Sequence, residues 1–305
     1  MRRLVEHVLD VGGCNRRVVG RRRVINGVLY RVRTGVQWRD LPERFGPWET
    51  VYKRHRCWSA EGTWKMLLSQ IQAAEDAAGG IDSEVSVDST AVRAHQHAAG
   101  ARKAPPSAAP QKGARSGTNQ PDPVAATGRP TGGGGRLGEC LGRGECLGRS
   151  HGGFTTKIHL AADGRCRPLA LLLTPGHYGD GPQLEPVLQQ IAVPRIGVGR
   201  PRSRPDGVLA DKAYTSRHNR RYLRRRSIAR TIPERRYRRR NRLNRGSRGG
   251  RPNGFDSEHY KKRNTVERAI NRLKGFRAVA TRYEKRAYIH LGTVTLAALI
   301  IWLRT

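Results

Sequence analysis

The chain has 305 residues, enough for one large domain or for a small and a medium-sized one. Its 59 Lys and Arg residues against 24 Asp and Glu give a formal net charge of +35. Such a charge repels itself unless a polyanion screens it, and nucleic acid is the usual polyanion. Composition therefore favours a nucleic-acid partner, but it does not separate an enzyme from a ribosomal or nucleoid coat protein.

Cysteine usage and hydropathy predict a cytoplasmic, nucleoid-associated protein with no membrane partner. The five Cys residues follow no disulfide or zinc-ligand pattern, which is typical of a reducing compartment. The N-terminus has no sustained apolar core of a secretory signal. The most apolar stretch, Leu291 to Leu303, is too short to span a bilayer, so a buried C-terminal helix is expected there.

Residues 1–78 are predicted to form a small helical DNA-binding domain. Apolar residues recur at helical spacing at Val24, Val28, Leu29 and Val32. Further helices are expected from about Trp48 and over residues 63–74. Basic side chains are interspersed with Trp residues here, as in a helix-turn-helix DNA reader. The alternative is a helical bundle that only packs on the next domain.

Residues 79–305 are predicted to form a second, larger domain with a long insert. From Val85 the pattern has period two, which indicates a strand with Asp88 on the face opposite Val85 and Val87. Residues 95–150 are rich in Ala, Gly, Pro, Arg and Ser, and GECLGR occurs twice in succession, at 138–143 and 144–149. Such a composition predicts a disordered insert, because it buries too little apolar area to offset the entropy of ordering.

The remaining pattern indicates an α/β fold. Asp163-Gly164 is a hairpin turn between two predicted strands, and a basic loop is expected at about 234–254. Strands are predicted over 154–160, 169–173, 207–211 and 228–232, and helices over 183–191, 217–226 and 260–276. This order fits a ribonuclease H-like catalytic domain, with a mixed sheet and helices on both faces, behind an all-α N-terminal domain.

Two aspartates stand out by their positions on predicted strands. Asp88 lies mid-strand, and Asp211 closes the apolar strand GVLA. A carboxylate at such a place is costly unless it is paired or binds a cation, and hard oxygen ligands suit Mg²⁺ or Mn²⁺. The alternative for each residue taken alone is that it caps the turn or helix that follows.

A third acidic residue lies on the predicted helix that contains YKKRNTVERAINRLK. Helical periodicity places Tyr260, Arg263, Glu267 and Lys274 along one stripe, beside an apolar face that can pack on the sheet. Glu267 is thus a candidate to complete a metal site with the two aspartates. The alternative is an ordinary amphipathic helix with an Arg-Glu pair four residues apart.

Taken together, these residues resemble the DDE transposases of bacterial insertion sequences, specifically the insertion-sequence-five group. The resemblance lies in VDSTAVRAHQHAAGARK around Asp88, GRSHGGFTTKIHL at 148–160, VLADKAY around Asp211, the Y-x2-R-x3-E-x6-K signature from Tyr260 to Lys274, and WRDLPERFGPWETVYKRHRCW at 38–58. The first twenty residues resemble that group poorly, so an altered start is expected.

The resemblance implies a set of catalytic and binding residues. Asp88, Asp211 and Glu267 would hold two Mg²⁺ or Mn²⁺ ions for in-line displacement at phosphorus. Water would first cut the ends of the element, and the freed 3′-hydroxyl would then attack target DNA. Arg263 and Lys274 would contact phosphates, with Tyr260 near the cut. A homodimer on paired terminal inverted repeats is the family-level expectation.

The arginine-rich run at 235–251 is expected to contact DNA phosphates through residues such as Arg238, Arg239 and Arg240, because most protein–DNA bonds go to the backbone. Two other functions stay open at this point. One is a catalytically decayed transposase that only binds DNA, and the other is a nuclease of the same fold that hydrolyses but never joins.

Overall fold

A computed structural model describes residues 18–101, 144–250 and 254–305. Its helices, in chain order, are α1 (Val18–Thr34), α2 (Trp48–Glu61), α3 (Thr63–Ala77), α4 (Gln96–Ala99), α5 (Leu184–Gln189), α6 (Arg217–Arg225), α7 (Arg236–Asn244), α8 (Ser257–Lys261), α9 (Asn264–Lys274), α10 (Arg277–Ala280) and α11 (Ala287–Arg304). Its strands are β1 (Glu84–Ala94), β2 (Gly148–Ser150), β3 (Gly153–Ala162), β4 (Pro168–Pro175), β5 (Gly207–Ala210), β6 (Ala229–Thr231) and β7 (Thr281–Arg282).

The strands form one mixed sheet built around β1. Strand β1 pairs antiparallel with β3 on one side and parallel with β5 on the other. Beyond these lie β4, antiparallel to β3, and β6, parallel to β5. Across the sheet, these five strands therefore have the order β4-β3-β1-β5-β6. All four residues of β5 are buried, which is typical of an inner parallel strand that is covered on both faces.

The N-terminal helices pack on the sheet domain through the C-terminal helix. Helix α11 contacts α2, α3 and β4, and apolar residues of all these elements belong to one hydrophobic core, including Val51, Trp64, Leu172 and Leu296. The predicted helices at 24–32, 48 onward and 63–74 are confirmed. The packing expected of a helical bundle is present, while DNA binding by these helices and the domain boundary at 78/79 stay predictions.

Helix α11 differs from its prediction in length. It has 18 residues and is long and apolar enough to cross a membrane by those criteria alone, yet 72% of it is buried inside the protein. Its start at Ala287 precedes the predicted Leu291. The helix is apolar nearly all round because the other elements cover it on most sides.

The predicted insert is too wide at both ends. Helix α4 forms within it, with Ala98 fully buried and the His95 amide donating to the carbonyl of Arg282. At the other end, the Glu145 carboxylate accepts hydrogen bonds from the Arg286 side chain and from the Ala287 amide. Tertiary contacts thus order segments whose composition predicts disorder. Residues 102–143 lie outside the described residues.

The predicted basic loop at 234–254 is also partly wrong, because Arg236–Asn244 form helix α7. Arginine is a good helix former, so a dense arginine run is compatible with a helix once its ends are fixed. Arg238 donates to the carbonyl of Thr215 at 2.6 Å, and Arg242 forms an ion pair with Glu234. These two contacts hold α7 against the body of the protein.

The helix predicted over 260–276 is interrupted. Helix α8 ends at Lys261, a tight turn follows, and α9 begins at Asn264. In the turn the amides of Lys262, Arg263 and Thr265 bond to carbonyls three residues back. Tyr260 therefore lies before the break, and the single straight stripe from Tyr260 to Lys274 is wrong for its first member. The turn places Arg263 against β1, where its side chain bonds to Asp88.

Candidate active site

The register of the two central strands brings Asp88 and Asp211 to neighbouring positions. Strands β1 and β5 run parallel with Val87 opposite Ala210, so the next residue on each chain is an aspartate. Asp88 lies inside β1, whereas Asp211 directly follows the last residue of β5. Two residues 123 positions apart in the chain thus meet at one level of the sheet.

Both aspartates also accept a hydrogen bond from the following amide. The distance is 2.8 Å from Ser89 to Asp88 Oδ1 and 2.6 Å from Lys212 to Asp211 Oδ1. The local capping role that was the alternative explanation is therefore present. It uses one oxygen of each carboxylate, so the second oxygen of Asp211 is left to other partners, while that of Asp88 contacts Arg263.

Arg263 links the strand carboxylate to the helix carboxylate. Its Nη2 lies 2.5 Å from Asp88 Oδ2, and its Nη1 lies 2.8 Å from Glu267 Oε1. The Thr265 hydroxyl donates to Ser86 Oγ at 3.0 Å and fixes the start of α9 on β1. The Asp88 side chain is 21% exposed and that of Glu267 is 50% exposed. The site is therefore open to a ligand at the Glu267 side.

Burial and neighbouring charge set the proton affinity of this cluster. Burial raises the pKa of Asp88 and the charge of Asp211 adds to that, while the Ser89 amide and Arg263 oppose it. The pKa of Tyr260 is raised as well, by burial first, against Arg263, with contributions from all three carboxylates. Asp88, Asp211 and Glu267 thus lie close enough to Tyr260 for their charges to act on one phenol.

The donor set suits a hard divalent cation, but the three carboxylates do not form a closed metal cluster. Among residues 18–101, 144–250 and 254–305, no three His, Cys, Asp or Glu side chains are arranged to hold a metal ion. Asp88 and Asp211 fit such an ion by their chemistry and their adjacent strands. Glu267 faces the guanidinium of Arg263 instead, so its part in a metal site stays a prediction.

A second polar group beside Asp88 escaped the sequence analysis. Asp180 accepts hydrogen bonds from Ser89 Oγ at 2.7 Å and from Lys157 Nζ at 2.9 Å. Although burial alone raises its pKa, these two donors lower the pKa of Asp180 below the usual range. The signal that could have found this group is Lys157, the one Lys or Arg residue within strand β3.

The predicted phosphate contacts lie on two elements. Lys274 is the last residue of α9, about 10 Å along the helix from Glu267. Arg239 and Arg240 are exposed on α7, while Arg238 is half-buried through its bond to Thr215. DNA binding by Lys274, Arg238, Arg239 and Arg240 stays a prediction. Arg263 contacts carboxylates in this structure, where the sequence predicted a phosphate.

The strand order β4-β3-β1-β5-β6 within the seven-stranded mixed sheet, with one aspartate on β1 and another directly after β5, defines a ribonuclease H-like α/β domain, as predicted. Residues 79–302 match the family described as "Transposase DDE domain", and residues 3–68 match the family described as "Putative transposase of IS4/5 family". The chain therefore belongs to the DDE transposase family. The second match begins at residue 3, so the first twenty residues are closer to the family than the sequence analysis expected.

Two sequence relatives agree with this assignment. The chain is 35% identical over 155 residues, half of its length, to the whole of a "Putative transposase for insertion sequence element IS6501" from Brucella ovis. It is 36% identical over 148 residues, 48% of its length, to 63% of a "Putative transposase for insertion sequence element IS402" from Burkholderia cepacia. A solved structure, "Mos1 transposase paired-end complex with left transposon end", aligns with 92% of this chain and 76% of its own at 16% identity and a TM-score of 0.23.

Proposed function

We propose that Asp88, Asp211 and Glu267 catalyse cleavage of insertion-sequence ends and transfer of the resulting 3′-hydroxyl ends to target DNA. The observation that supports this most directly is the parallel register of β1 and β5, which puts Asp88 beside Asp211. The Asp88–Arg263–Glu267 contacts then connect the helix carboxylate to the same place.

The residues would hold two Mg²⁺ or Mn²⁺ ions, which supply activation of the attacking oxygen and stabilisation of the leaving oxygen. Asp88 and Asp211 are the donors from the sheet, and Glu267 is the donor from α9. Arg263 balances the charges of Asp88 and Glu267 before DNA binds. A DNA phosphate bound beside these two carboxylates would lie within reach of the Arg263 guanidinium. Asp180 and Lys157 hold Ser89, and through it the backbone next to Asp88.

Two bonds are exchanged in sequence. In the first step the oxygen of water forms a bond to phosphorus, the bond to the 3′ oxygen breaks, and that oxygen leaves with a proton as a 3′-hydroxyl. In the second step the oxygen of this hydroxyl forms a bond to a phosphorus of target DNA, the bond to another 3′ oxygen breaks, and that oxygen leaves with the proton that the attacking hydroxyl gives up. The number of phosphodiester bonds is unchanged by the second step, so no energy source is required.

The test of this function is a strand assay on DNA taken from both flanks of the gene, where the terminal inverted repeats of a mobile element would lie. With Mg²⁺ we expect both cleaved 3′-hydroxyl ends and joined products, and neither when the cation is chelated. Cleaved ends without joined products would show a nuclease instead. DNA binding without any cleavage would show a decayed transposase. A dimer on paired ends predicts that joined products require two end fragments in one complex.

The exposed arginines of α7 are expected to contribute to DNA affinity. Arg239→Gln with Arg240→Gln should weaken DNA binding at every sequence, because phosphate contacts carry no sequence information. We expect the slope of log affinity against log salt to fall by about 0.9 per lost phosphate contact. The measurement is fluorescence anisotropy over a salt series. Arg224→Gln with Arg225→Gln, which removes the same charge from α6, is the control, and an equal loss there would exclude a specific role for α7.

A further inference from the structure

A cavity of about 520 Å³ opens between the N-terminal helices and the C-terminal segment, away from the carboxylates. Strand β1 connects the two places, because it runs on from Asp88 to Ala94, which pairs with Arg282 of β7. Six residues of strand correspond to about 20 Å. The cavity is thus a separate site on the same sheet, at a distance that one stretch of DNA strand can bridge.

Aromatic rings form much of the cavity wall. Four half-buried rings line it, those of Trp38, Trp48, Tyr52 and Tyr283. Trp38 and Tyr52 support each other, with ring centroids 5.4 Å apart. The Arg31 guanidinium lies 4.9 Å from the Trp38 ring centroid and the His95 ring lies 4.8 Å from that of Tyr283, yet both rings stay only half-buried, so part of each faces the open space. Flat faces of this kind stack on nucleobases of any sequence.

The charges around these rings favour an anion. Arg39 and Lys285 are exposed at the cavity, and the Arg39 guanidinium lies over the Trp48 ring at 5.7 Å. Glu284, which also lines the cavity, is neutralised by Arg31 at 2.7 Å, and both side chains are at most 3% exposed. The charge that a ligand meets at the opening is therefore positive.

We infer that this cavity binds an unpaired nucleotide of a DNA strand, with the base stacked on Trp48 and its neighbours and the phosphates at Arg39 and Lys285. The volume lies within the range of about 300–1,000 Å³ for pockets that enclose small ligands, so it admits single nucleotides and excludes a duplex. The inference rests on the proposed function only in taking DNA as the ligand. It does not involve the carboxylates, so Asp88→Asn leaves this binding intact.

The experiment compares a labelled thymidine oligonucleotide, a duplex of equal length and free thymidine 5′-monophosphate as ligands of the full chain. Trp48→Ala should weaken binding of the single strand about tenfold, since one base–aromatic stack is worth roughly that much, and should leave duplex affinity unchanged. Trp48→Phe, which keeps a flat ring, should restore most of the loss. Tryptophan quenching by the oligonucleotide should fall in Trp48→Ala.

A second pair of variants decides the matter if Trp48→Ala fails to fold. Lys285→Gln should weaken the single strand more than Arg225→Gln, an equal charge change at an exposed position on α6. Equal losses for single strand and duplex, or no loss in either pair, would overturn the inference. Tight binding of the free monophosphate with no preference for the strand would also overturn it, because the ligand would then be a nucleotide and not DNA.

Discussion

The Asp88→Asn protein should lose Mg²⁺-dependent strand cleavage by at least about a thousandfold while it still binds DNA. Metal ions contribute several kcal/mol of transition-state stabilisation in phosphoryl transfer, and each 1.4 kcal/mol is about a tenfold change in rate. The amide that replaces the carboxylate has no negative charge to offer a divalent ion. Because Asp88 lies between Asp211 and Arg263, its loss removes the central donor of the site.

The same substitution should not destabilise the fold. Burial raises the pKa of Asp88 above its ordinary 3.8, so the folded chain binds a proton there more readily than the unfolded chain does. The contribution of this group to stability is therefore fully present below pH 3.8 and is lost as the pH rises through the raised pKa. At neutral pH the substitution removes both the cost of burying the ionised Asp88 and its contact with Arg263, and because these two effects oppose each other the net change in stability is small.

The measurement is strand cleavage and thermal unfolding on the same preparations at neutral pH. We expect an unfolding midpoint close to that of the wild type, together with lost cleavage. Asp206→Asn, the same chemical change at an exposed aspartate just before β5, should leave cleavage unchanged. Cleavage by Asp88→Asn at the rate of the wild type would refute the assignment of the catalytic carboxylates.

The sheet was predictable because period-two alternation and buried apolar runs are local signals. They place Asp88 in a strand and Asp211 at the end of one, and the predicted succession of strands and helices along the chain up to β6 is confirmed. The pairing of Arg263 with Asp88 was not predictable in this way. Those residues are 175 positions apart, and the sequence offers phosphate and carboxylate as equally good partners for a guanidinium.

Composition misleads where a few tertiary contacts outweigh it. Glu145 and Cys146 of the second GECLGR copy are buried, and Glu145 accepts hydrogen bonds from Arg286 and Ala287 of the C-terminal segment. The arginine run likewise looks too charged to be ordered, but Glu234 and the Thr215 carbonyl anchor its helix. Nothing in either segment alone indicates Arg286 or the Thr215 carbonyl as a partner, since each lies on a different element of the fold.

Glu284→Gln should lower the free energy of unfolding by about 3–5 kcal/mol, because removing one partner of a buried ion pair leaves the other charge uncompensated. The partner is Arg31 of α1, whose Nη1 lies 2.7 Å from Glu284 Oε1. His290 of α11 approaches the other oxygen at 3.4 Å. This pair joins the N-terminal helices to the C-terminal segment, so its loss should also loosen the cavity between them.

Urea unfolding at neutral pH measures the effect, with Glu258→Gln as the matched control. Glu258 forms an ion pair with Lys261 at 2.8 Å, but both side chains are about three-quarters exposed, so its loss should change stability by less than about 0.5 kcal/mol. Equal stability of Glu284→Gln and Glu258→Gln would contradict a structural role for the buried pair.

The pH dependence separates a charge effect from a packing effect at Glu284. Burial alone raises the pKa of this carboxyl, but Arg31 and His290 overcome that and lower it to about 2, against an ordinary 4.5. The stability it contributes is therefore present above pH 4.5 and is lost as the pH falls toward 2. The difference between wild type and Glu284→Gln should shrink over that interval, since a protonated glutamate and a glutamine are nearly alike. A difference that stays constant would instead indicate that the glutamine packs badly, with no contribution from the buried charge.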